Sequence, residues 1–293
     1  MGRFAKPKTQ AKSVMMCLQG SVIRSVGRVR DYEGALTRVA RYCIDNRISL
    51  RELTLKMAVD YLELRSEVVG QKALNQYREA MQAMMVHVTH VLEPDATLPV
   101  IKSELEQILE SRAYSQQQVA LIVEAQTHSN AFATELAYSA GLRAHELLTL
   151  LPVTERAADK RPALTSKFAG REGVLYTVQG KGGLVREVLI PYHLASQLEG
   201  LRLPEPITIT DRRIHYQQHY AINGGNRWSS SFSTASTRAL GWSTGAHGVR
   251  HSYAQERMVE LQVKCGLSRA QALETVSQEM GHFRPSITEV YLR

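Results

Sequence analysis

The stretch HGVRHSYA at residues 247–254 decides how the rest of the chain is interpreted. On a helix, a spacing of three residues places His247 and Arg250 on one face, where both can reach the same group of oxygen atoms. Gly245 lies just before this stretch, and glycine lets the chain turn into a helix at no steric cost. The stretch therefore predicts a helix that begins with a pair of cationic side chains.

Two further motifs stand before and after this stretch. The first is GLRAHEL at 141–147, and the second is MGH at 280–282, which is followed nine residues after its histidine by Tyr291. A free tyrosine has a pKa of about 10, so only about one phenol in a thousand is ionised at neutral pH. Tyr291 would therefore need electrostatic help to act as a nucleophile.

Fixed cations from the three motifs can give that help. Arginine is suited to bind a phosphodiester, because its planar guanidinium matches two phosphate oxygens and keeps its charge. We expect Arg143 and Arg250 to bind the phosphate, with His247 and His282 beside them. Taken alone, however, an arginine of this kind is more often part of a surface ion pair, and a histidine near a helix start is often only a cap.

A hairpin is predicted at residues 174–190. Two runs rich in β-branched residues flank the glycine-rich turn GKGG at 180–183, which places Lys181 at the tip. Departure of a 5′-oxygen from a phosphodiester needs a proton, and Lys181 is a candidate general acid. Glu146, three residues after Arg143, can orient an arginine or a histidine from behind the site.

Composition limits the possible partners. The 293 residues carry 36 Lys and Arg against 28 Asp and Glu, a net charge of +8, which favours nucleic acid or an anionic membrane surface. No apolar run reaches the length of about 20 residues that a membrane span needs, and the N-terminus lacks the apolar core of a signal peptide. Three scattered cysteines show no metal-ligand spacing. We expect a cytoplasmic protein associated with the nucleoid.

The first part of the chain divides into three segments. Residues 1–30 contain seven basic residues and no acid, which fits either a solvated leader or a basic arm along phosphates. Residues 31–92 have apolar residues at helical spacing and predict a small helical domain. The two prolines in 93–100 interrupt any helix and predict a linker.

A second domain is expected at 101–293. Apolar spacing predicts helices at 102–111, 115–128 and 130–140, and Gly141 ends the last of them. After the hairpin at 174–190, the chain is expected to return to helix, with breaks at 223–225, Gly241 and Gly245.

Together the motifs resemble the tyrosine recombinases, the phage-integrase family. The resemblance rests on GLRxxEL at 141–147, HxxRHSYA at 247–254, GH at 281–282 and the tyrosine nine residues later, with Lys181 where that family keeps its lysine. It covers about 101–293, while 1–92 is similar to the family's core-binding domain in architecture alone.

The resemblance implies a mainly α fold with a small β-hairpin or sheet. It implies a two-domain DNA clamp, in which a helical, SAM-like core-binding domain at 31–92 joins an α+β catalytic domain. The implied reaction is attack by Tyr291 to form a 3′-phosphotyrosine, release of a 5′-hydroxyl, and strand exchange through a Holliday junction in a homotetramer. No metal or cofactor is implied. The implied catalytic residues are Arg143, Lys181, His247, Arg250, His282 and Tyr291, with Glu146 in support.

Other basic residues are candidates for DNA contact. Arg212 and Arg213, with Tyr216 nearby, indicate a DNA-facing element, and Arg284 makes the loop before Tyr291 more basic than in relatives. His215 and His219 have the spacing of a zinc-binding pair on a helix, but they lack an acidic base between them and a third ligand. We expect DNA contact here instead of a metal.

Several functions fit these residues. The first is an integrase that moves a mobile element between duplexes with inverted-repeat core sites, with a possible accessory directionality protein. A chromosome-dimer resolvase, a topoisomerase IB-like nicking and rejoining enzyme, and a DNA-binding accessory protein without activity are alternatives. Two residues follow Tyr291 in the sequence, so we expect a partner subunit to hold its helix.

Overall fold

The computed structural model describes residues 4–106, 109–282 and 284–293, and for Lys181 it describes the backbone alone. The chain divides into two compact units, Met1–Ile108 and Leu109–Arg293.

The first unit is helical, as the sequence predicted. Ser25 and Thr54 cap the second and third helices by accepting hydrogen bonds from backbone amides of the first turn. Its helices are α1 (Pro7–Leu18), α2 (Val26–Asp45), α3 (Leu55–Ser66) and α4 (Gln71–His87).

Helix α1 lies inside the segment that was expected to be a leader or an arm. Ala11, Val14, Met15 and Leu18 form one face of this helix, and each is at most 2% exposed. Pro7 occupies the first turn, where its fixed φ favours helix initiation. The segment therefore belongs to the packed unit from Pro7 onward, and its spacing of apolar residues was the signal overlooked.

The predicted linker at 93–100 also packs on the first unit. Leu98 is buried there, and its carbonyl accepts from Arg78 Nη1. The helix predicted at 102–111 is wrong for its described residues, 102–106 and 109–111. Ser103 N donates to Gln71 and Glu104 N to the carbonyl of Ser66, so these amides bond to the helical unit instead of to a new helix.

The second unit is mainly α with small antiparallel sheets, so the predicted fold class is confirmed. Strands β1 (Leu151–Pro152), β2 (Val174–Gln179) and β3 (Val185–Ile190) form one sheet in that order, and β4 (Arg202–Asp211) pairs with β5 (Ile214–Tyr220). The helices are α5 (Gln116–Glu124), α6 (His128–Ala140), α7 (Tyr192–Gly200), α8 (Gly225–Leu240), α9 (Gly248–Val263), α10 (Arg269–Glu279) and α11 (Pro285–Glu289).

The hairpin predicted at 174–190 is present. Strands β2 and β3 pair from Val174 opposite Ile190 to Gln179 opposite Val185. Gly182 and Gly183 in the connecting turn have φ of 80° and 86°, a conformation that favours glycine. The backbone of Lys181 lies in this turn, and its side chain lies outside the described part of the structure.

The hairpin β4–β5 was not predicted, and the expectation of helix over 202–220 is wrong. Pro204 and Pro206 disfavour a helix, and the alternation in ITITD and IHYQQHY is a strand pattern. The turn consists of Arg212 and Arg213, both at positive φ (50° and 68°). Arginine is unusual in such a turn, so the usual Asn-Gly signal was missing.

The core of the second unit fixes where α9 begins. Trp228 and Phe232 of α8 are buried, and the Trp228 indole donates to Thr134 Oγ1 on α6 at 3.0 Å. Tyr114 packs against Phe232 with ring centroids 5.4 Å apart, and its amide donates to Ser252 of α9 at 2.9 Å. These contacts hold the N-terminal turn of α9 against the helical core.

Within the three described ranges of the chain, no helix is both long and apolar enough to cross a membrane.

Candidate active site

Four of the predicted residues meet around the N-terminus of α9. His247 is the residue before the helix, and Arg250 lies in its first turn. Gly248 is required here, because a Cβ at this position would lie 2.4 Å from the Tyr114 ring and 2.5 Å from a backbone oxygen. His282 and Tyr291 reach the same place from the segment after α10.

The phenol of Tyr291 is the centre of this group. Its oxygen lies 3.0 Å from His247 Nε2, and the residue is only 9% exposed. Its ring lies against two more imidazoles, with centroids 4.6 Å from His251 and 5.1 Å from His282. The guanidinium carbon of Arg250 is 5.8 Å from the same ring centroid. Three imidazoles and one cation thus surround the phenol.

Contacts within the chain hold the segment that carries Tyr291. Gln255 of α9 donates through Nε2 to the carbonyls of Tyr291 at 3.1 Å and Arg293 at 2.9 Å. Arg269 and Glu289 form a two-bond ion pair with both distances 2.9 Å. These bonds position the segment from within the same chain, and the expected contact of this helix with a partner subunit stays a prediction.

Arg250 is completely buried beneath Tyr291. Its two terminal nitrogens donate to the carbonyls of Gly141 and Met280, and Nη2 also lies 3.2 Å from His282 Nε2. Its Nε is buried, and no described residue offers it a hydrogen bond. Burial, and next the neighbouring Arg143, lower the pKa of Arg250 to about 9, so it remains a cation at neutral pH. An unpartnered buried N–H is costly in a folded protein unless a ligand satisfies it.

One buried carboxylate organises three arginines. Glu146 is 0% exposed, and its oxygens lie 2.7 Å from Arg143 Nη1, 2.7 Å from Arg186 Nη2 and 3.9 Å from Arg250 Nη1. Burial by itself raises the pKa of Glu146, but Arg186, Arg250 and Arg143 outweigh it and hold the pKa far below its usual range. Glu146 also accepts from the Arg143 amide at 2.8 Å, so it fixes that arginine at two points.

Arg186 was missed by the sequence reasoning. It is 6% exposed on β3, and it donates to the Glu279 carbonyl, to the Gly141 carbonyl and to Glu146. It therefore ties the strand after Lys181 to the turn that carries His282. The signal was available, because alternation along β3 places Arg186 on the same face as the buried Val188 and Ile190.

His282 is held as a neutral imidazole. Arg250 can only donate, so His282 Nε2 accepts, and Nδ1 lies 2.9 Å from Thr288 Oγ1 as a donor. Burial, and next Arg250, lower the pKa of His282 to about 3. The pKa of His247 is also lowered, mainly by lost hydration of the imidazole and next by the charge of Arg250. Part of the residue is nevertheless exposed to solvent.

His251 is a second residue that the sequence reasoning passed over. It is 5% exposed, and its ring packs against that of Tyr291 at a tilt of 35°. Its Nδ1 is buried and has no hydrogen-bond partner among the residues that the structure describes. Burial, and next Arg112, lower its pKa to about 4. Its position after Arg250 in the RH pair was the available signal, and it now appears as a wall of the tyrosine pocket.

The remaining candidates lie elsewhere in the second unit. Arg143 joins the cluster and keeps 21% of its side chain exposed. Arg212 and Arg213 are exposed in the β4–β5 turn, and Arg284 is exposed just before α11. None of these three contacts the group around Tyr291 in the ranges that the structure describes.

The possible zinc pair falls on a strand. His215 and His219 both belong to β5, where a separation of four residues corresponds to about 13 Å, too far for one metal ion. In the described ranges, no group of three or more His, Cys, Asp or Glu side chains is arranged to hold a metal.

Solved structures of site-specific recombinases share this fold. XerH recombinase in its post-cleavage complex with palindromic difH aligns over 98% of this chain and 91% of that chain, with a TM-score of 0.59 and 13% identity. A lambda integrase dimer on a COC′ core site aligns over 97% and 76%, with a TM-score of 0.63 and 14% identity. The Tn1549 transposon integrase with circular intermediate DNA aligns over 99% and 96%, with a TM-score of 0.55 and 13% identity.

Sequence comparison gives no such match. No protein-family model matches the chain, and no curated protein sequence matches it. The structural likeness shows that the chain has the fold of the site-specific recombinases and integrases. The fold expected from the resemblance to tyrosine recombinases is therefore confirmed.

Proposed function

We propose that this protein is a tyrosine-type site-specific DNA recombinase, whose nucleophile is Tyr291. The observation that carries the proposal is the phenol oxygen 3.0 Å from His247 Nε2, with the Arg250 guanidinium 5.8 Å from the phenol ring centroid and 3.9 Å from the buried carboxylate of Glu146. The shared fold supports it, since the structures described above are recombinases on DNA.

The first chemical step uses the Tyr291 and His247 pair. A general base must lie within hydrogen-bond reach of the proton that it removes, and His247 Nε2 meets that condition. Burial and the neighbouring Arg250 lower the pKa of His247, so its imidazole is neutral and Nε2 has a lone pair for the phenol proton. The negative charge of a bound phosphodiester would raise that pKa and strengthen the base. The phenolate then attacks a phosphodiester, the phosphorus–5′-oxygen bond breaks, and a 3′-phosphotyrosine remains. We assign the proton for the 5′-oxygen to Lys181 from its place in the hairpin turn.

An excess of positive charge beside Tyr291 supports the same step. Arg143, Arg186 and Arg250 surround one carboxylate, so among the described residues this cluster has two more positive charges than negative ones. Negative charge grows on the phosphoryl oxygens during transfer, and fixed donors in a low-dielectric site stabilise it strongly. Arg143 is the accessible arginine, and the unpartnered Nε of Arg250 becomes available once the Tyr291 ring moves toward phosphorus.

The proposed substrate is duplex DNA with an inverted-repeat core site. The net charge of +8 and the exposed Arg212, Arg213 and Arg284 support binding to a polyanion. Among the similar structures, lambda integrase is seen as a tetramer on a Holliday junction. We propose a homotetramer on paired sites that serves integration and excision of a mobile element, with an accessory protein to set direction.

A trapping experiment on randomised DNA tests the activity. The full chain is incubated with a pool of nicked duplexes of randomised sequence, in which loss of the short strand prevents rejoining. After denaturation, DNA that remains attached to protein is recovered and sequenced. Wild type should retain DNA, and Tyr291→Phe should not, although it still shifts duplex DNA in a gel.

The matched control is Tyr192→Phe, since Tyr192 is a tyrosine of the same unit that is 61% exposed on α7. This variant should trap DNA like wild type. Equal trapping by Tyr291→Phe would remove Tyr291 as the nucleophile, and absence of any adduct with wild type would remove the proposed activity.

A further inference from the structure

The hairpin β4–β5 projects from the second unit with little cover. From Pro204 to Thr208 and from Arg212 to His215, every residue is exposed. Even apolar side chains on this ribbon are open to solvent, with Ile207 46% and Ile214 40% exposed. Two-stranded ribbons are marginal by themselves in water, so an element of this kind needs a reason to be kept.

One face of the ribbon is a set of polar side chains that hydrogen-bond across the strands. Thr208 pairs with Gln217 and Thr210 with His215 across the strands. Gln217 Nε2 donates to Thr208 Oγ1 at 3.0 Å, and His215 Nδ1 lies 2.9 Å from Thr210 Oγ1. These bonds fix the amide and the ring. In the described residues, they leave Gln217 Oε1 and His215 Nε2 without a hydrogen-bond partner.

The opposite face anchors the ribbon beside the candidate active site. Gln218 and Tyr220 are buried, and the Tyr216 ring lies 6.2 Å from that of His145. The turn Glu146–Thr149, which begins three residues after Arg143, packs directly on β5. Gly225 N, just after the hairpin, donates to the Ala144 carbonyl at 2.7 Å. The base of the ribbon is therefore fixed next to an arginine assigned to the phosphate.

The tip of the ribbon is cationic. Arg212 and Arg213 are both exposed there, and the neighbouring carboxylate of Asp211 is already used by the amide of Asn226 at 2.9 Å. Arg212 also donates to the Asn226 side chain, which positions its guanidinium. A polar face that ends in two cations is complementary to a nucleic-acid groove bordered by phosphates.

We propose that the β4–β5 hairpin enters the major groove of the target duplex and that His215 and Gln217 contact base edges there, a role that rests on the proposed function. The major groove is about 12 Å wide and admits a two-stranded ribbon. Glutamine pairs well with adenine edges, and an imidazole offers a single donor or acceptor. The two arginines at the tip bind backbone phosphates.

The placement also predicts which bases are contacted. From Tyr216, at the anchored base, to Arg213, at the tip, the strand spans about 10 Å at about 3.3 Å per residue. Stacked base pairs rise about 3.4 Å, so the ribbon covers about three base pairs. The base preference due to this hairpin should therefore lie within a few base pairs of the attacked phosphate.

The test uses the same pool of randomised nicked duplexes and the full chain. In the double variant His215→Ala, Gln217→Ala, adducts should still form, but the base preference at one or two positions near the nick should fall about fivefold or more. The matched control is His193→Ala, Gln197→Ala, which removes the same residue types from the exposed surface of α7. The control should enrich the wild-type sequence.

Unchanged base preference in the hairpin variant overturns the inference while leaving the activity in place. If that variant instead keeps its sequence preference and loses only the association of copies on DNA, the ribbon is a subunit contact and the inference is wrong. Failure of wild type to form any adduct is a separate result, because it removes the proposed activity itself.

A second variant tests the tip. Arg212→Asn with Arg213→Gly keeps the turn, because both new residues tolerate positive φ. Binding should weaken for all sequences, and the slope of log affinity against log salt should become shallower by about two. An unchanged slope means that these arginines do not touch phosphates, which overturns the groove placement.

Discussion

Replacement of Glu146 by glutamine should strongly destabilise the second unit, because its carboxylate is buried among three arginines. The side chain is 0% exposed and stands within 2.7 Å of Arg143 and Arg186 and 3.9 Å of Arg250. Glutamine has nearly the same shape, so the change removes charge and little volume. One of the two arginines that face the carboxylate at 2.7 Å would then meet an amide NH₂ instead of an acceptor.

The magnitude follows from the burial of the cations left behind. Loss of one partner from a buried ion pair typically costs about 3 to 5 kcal/mol, because the remaining charge cannot return to water. Arg186 and Arg250 are 6% and 0% exposed, so this range applies. With a urea m-value of about 2 kcal/mol per molar, the unfolding midpoint should fall by about 1.5 to 2.5 M.

Tryptophan fluorescence reports this change selectively. Both tryptophans of the chain, Trp228 and Trp242, belong to the second unit, so a urea titration of the full chain follows that unit. The control is Glu289→Gln, which removes the carboxylate of the exposed pair with Arg269 and should hardly change the midpoint. Equal midpoints for the two variants would refute the idea that a buried charge cluster organises the site.

The pH dependence gives a second test of Glu146. Its folded pKa is depressed, so its stabilisation is fully present above the unfolded pKa of about 4.3 and is lost as pH falls toward the folded pKa. Wild type should therefore lose stability steeply below about pH 4, and Glu146→Gln should show a shallower loss over the same range. Parallel curves would contradict the sign of this shift.

Three further changes test neighbouring contacts. Arg186→Lys should slow adduct formation tenfold or more with little change in DNA affinity, because the lysine cannot make three bonds in a plane. The control Arg156→Lys, in the loop after β1 where the guanidinium donates to the Thr177 carbonyl, should not slow it; equal rates of the two variants in a single-turnover trapping assay would contradict this. Gly281→Ala should lower the urea midpoint far more than Gly266→Ala, since both have positive φ but only the first new Cβ would meet Arg186, at 2.6 Å. Burial lowers the pKa of His282 to about 3, so the folded protein should lose stability as pH falls below about 6.5, by at most about 1.4 kcal/mol per pH unit. In His282→Gln, the free energy of unfolding should depend less steeply on pH over that range.

The convergence of the motifs could be predicted from the sequence because each one carries a local spacing signal. His247 and Arg250 lie on one helix face, and Tyr291 and His282 contact them from the segment after α10. The contacts that support these residues from behind could not be predicted from local spacing. Arg186 reaches Glu146 across 40 residues of sequence, and no local pattern announces that partnership.

The errors in the fold have a similar cause. Residues 102–106 contain helix-forming residues, but Ser103 and Glu104 bond to the first unit through their backbone, so a tertiary contact overrides local propensity. The β4–β5 turn uses two arginines at positive φ, where sequence reasoning looks for glycine or asparagine. In contrast, the hairpin at 174–190 has glycines in its turn and was predicted correctly.

In the proposed reaction, the phenol of Tyr291 becomes covalently attached to DNA. The most direct test of this attachment is mass spectrometry of the protein recovered from trapped nicked duplexes, after digestion of both the DNA and the chain. The peptide containing Tyr291 should carry a 3′-linked nucleotide, and no other tyrosine should. A nucleotide on a different residue, or an unmodified peptide in a sample that retains DNA, would contradict the proposed reaction.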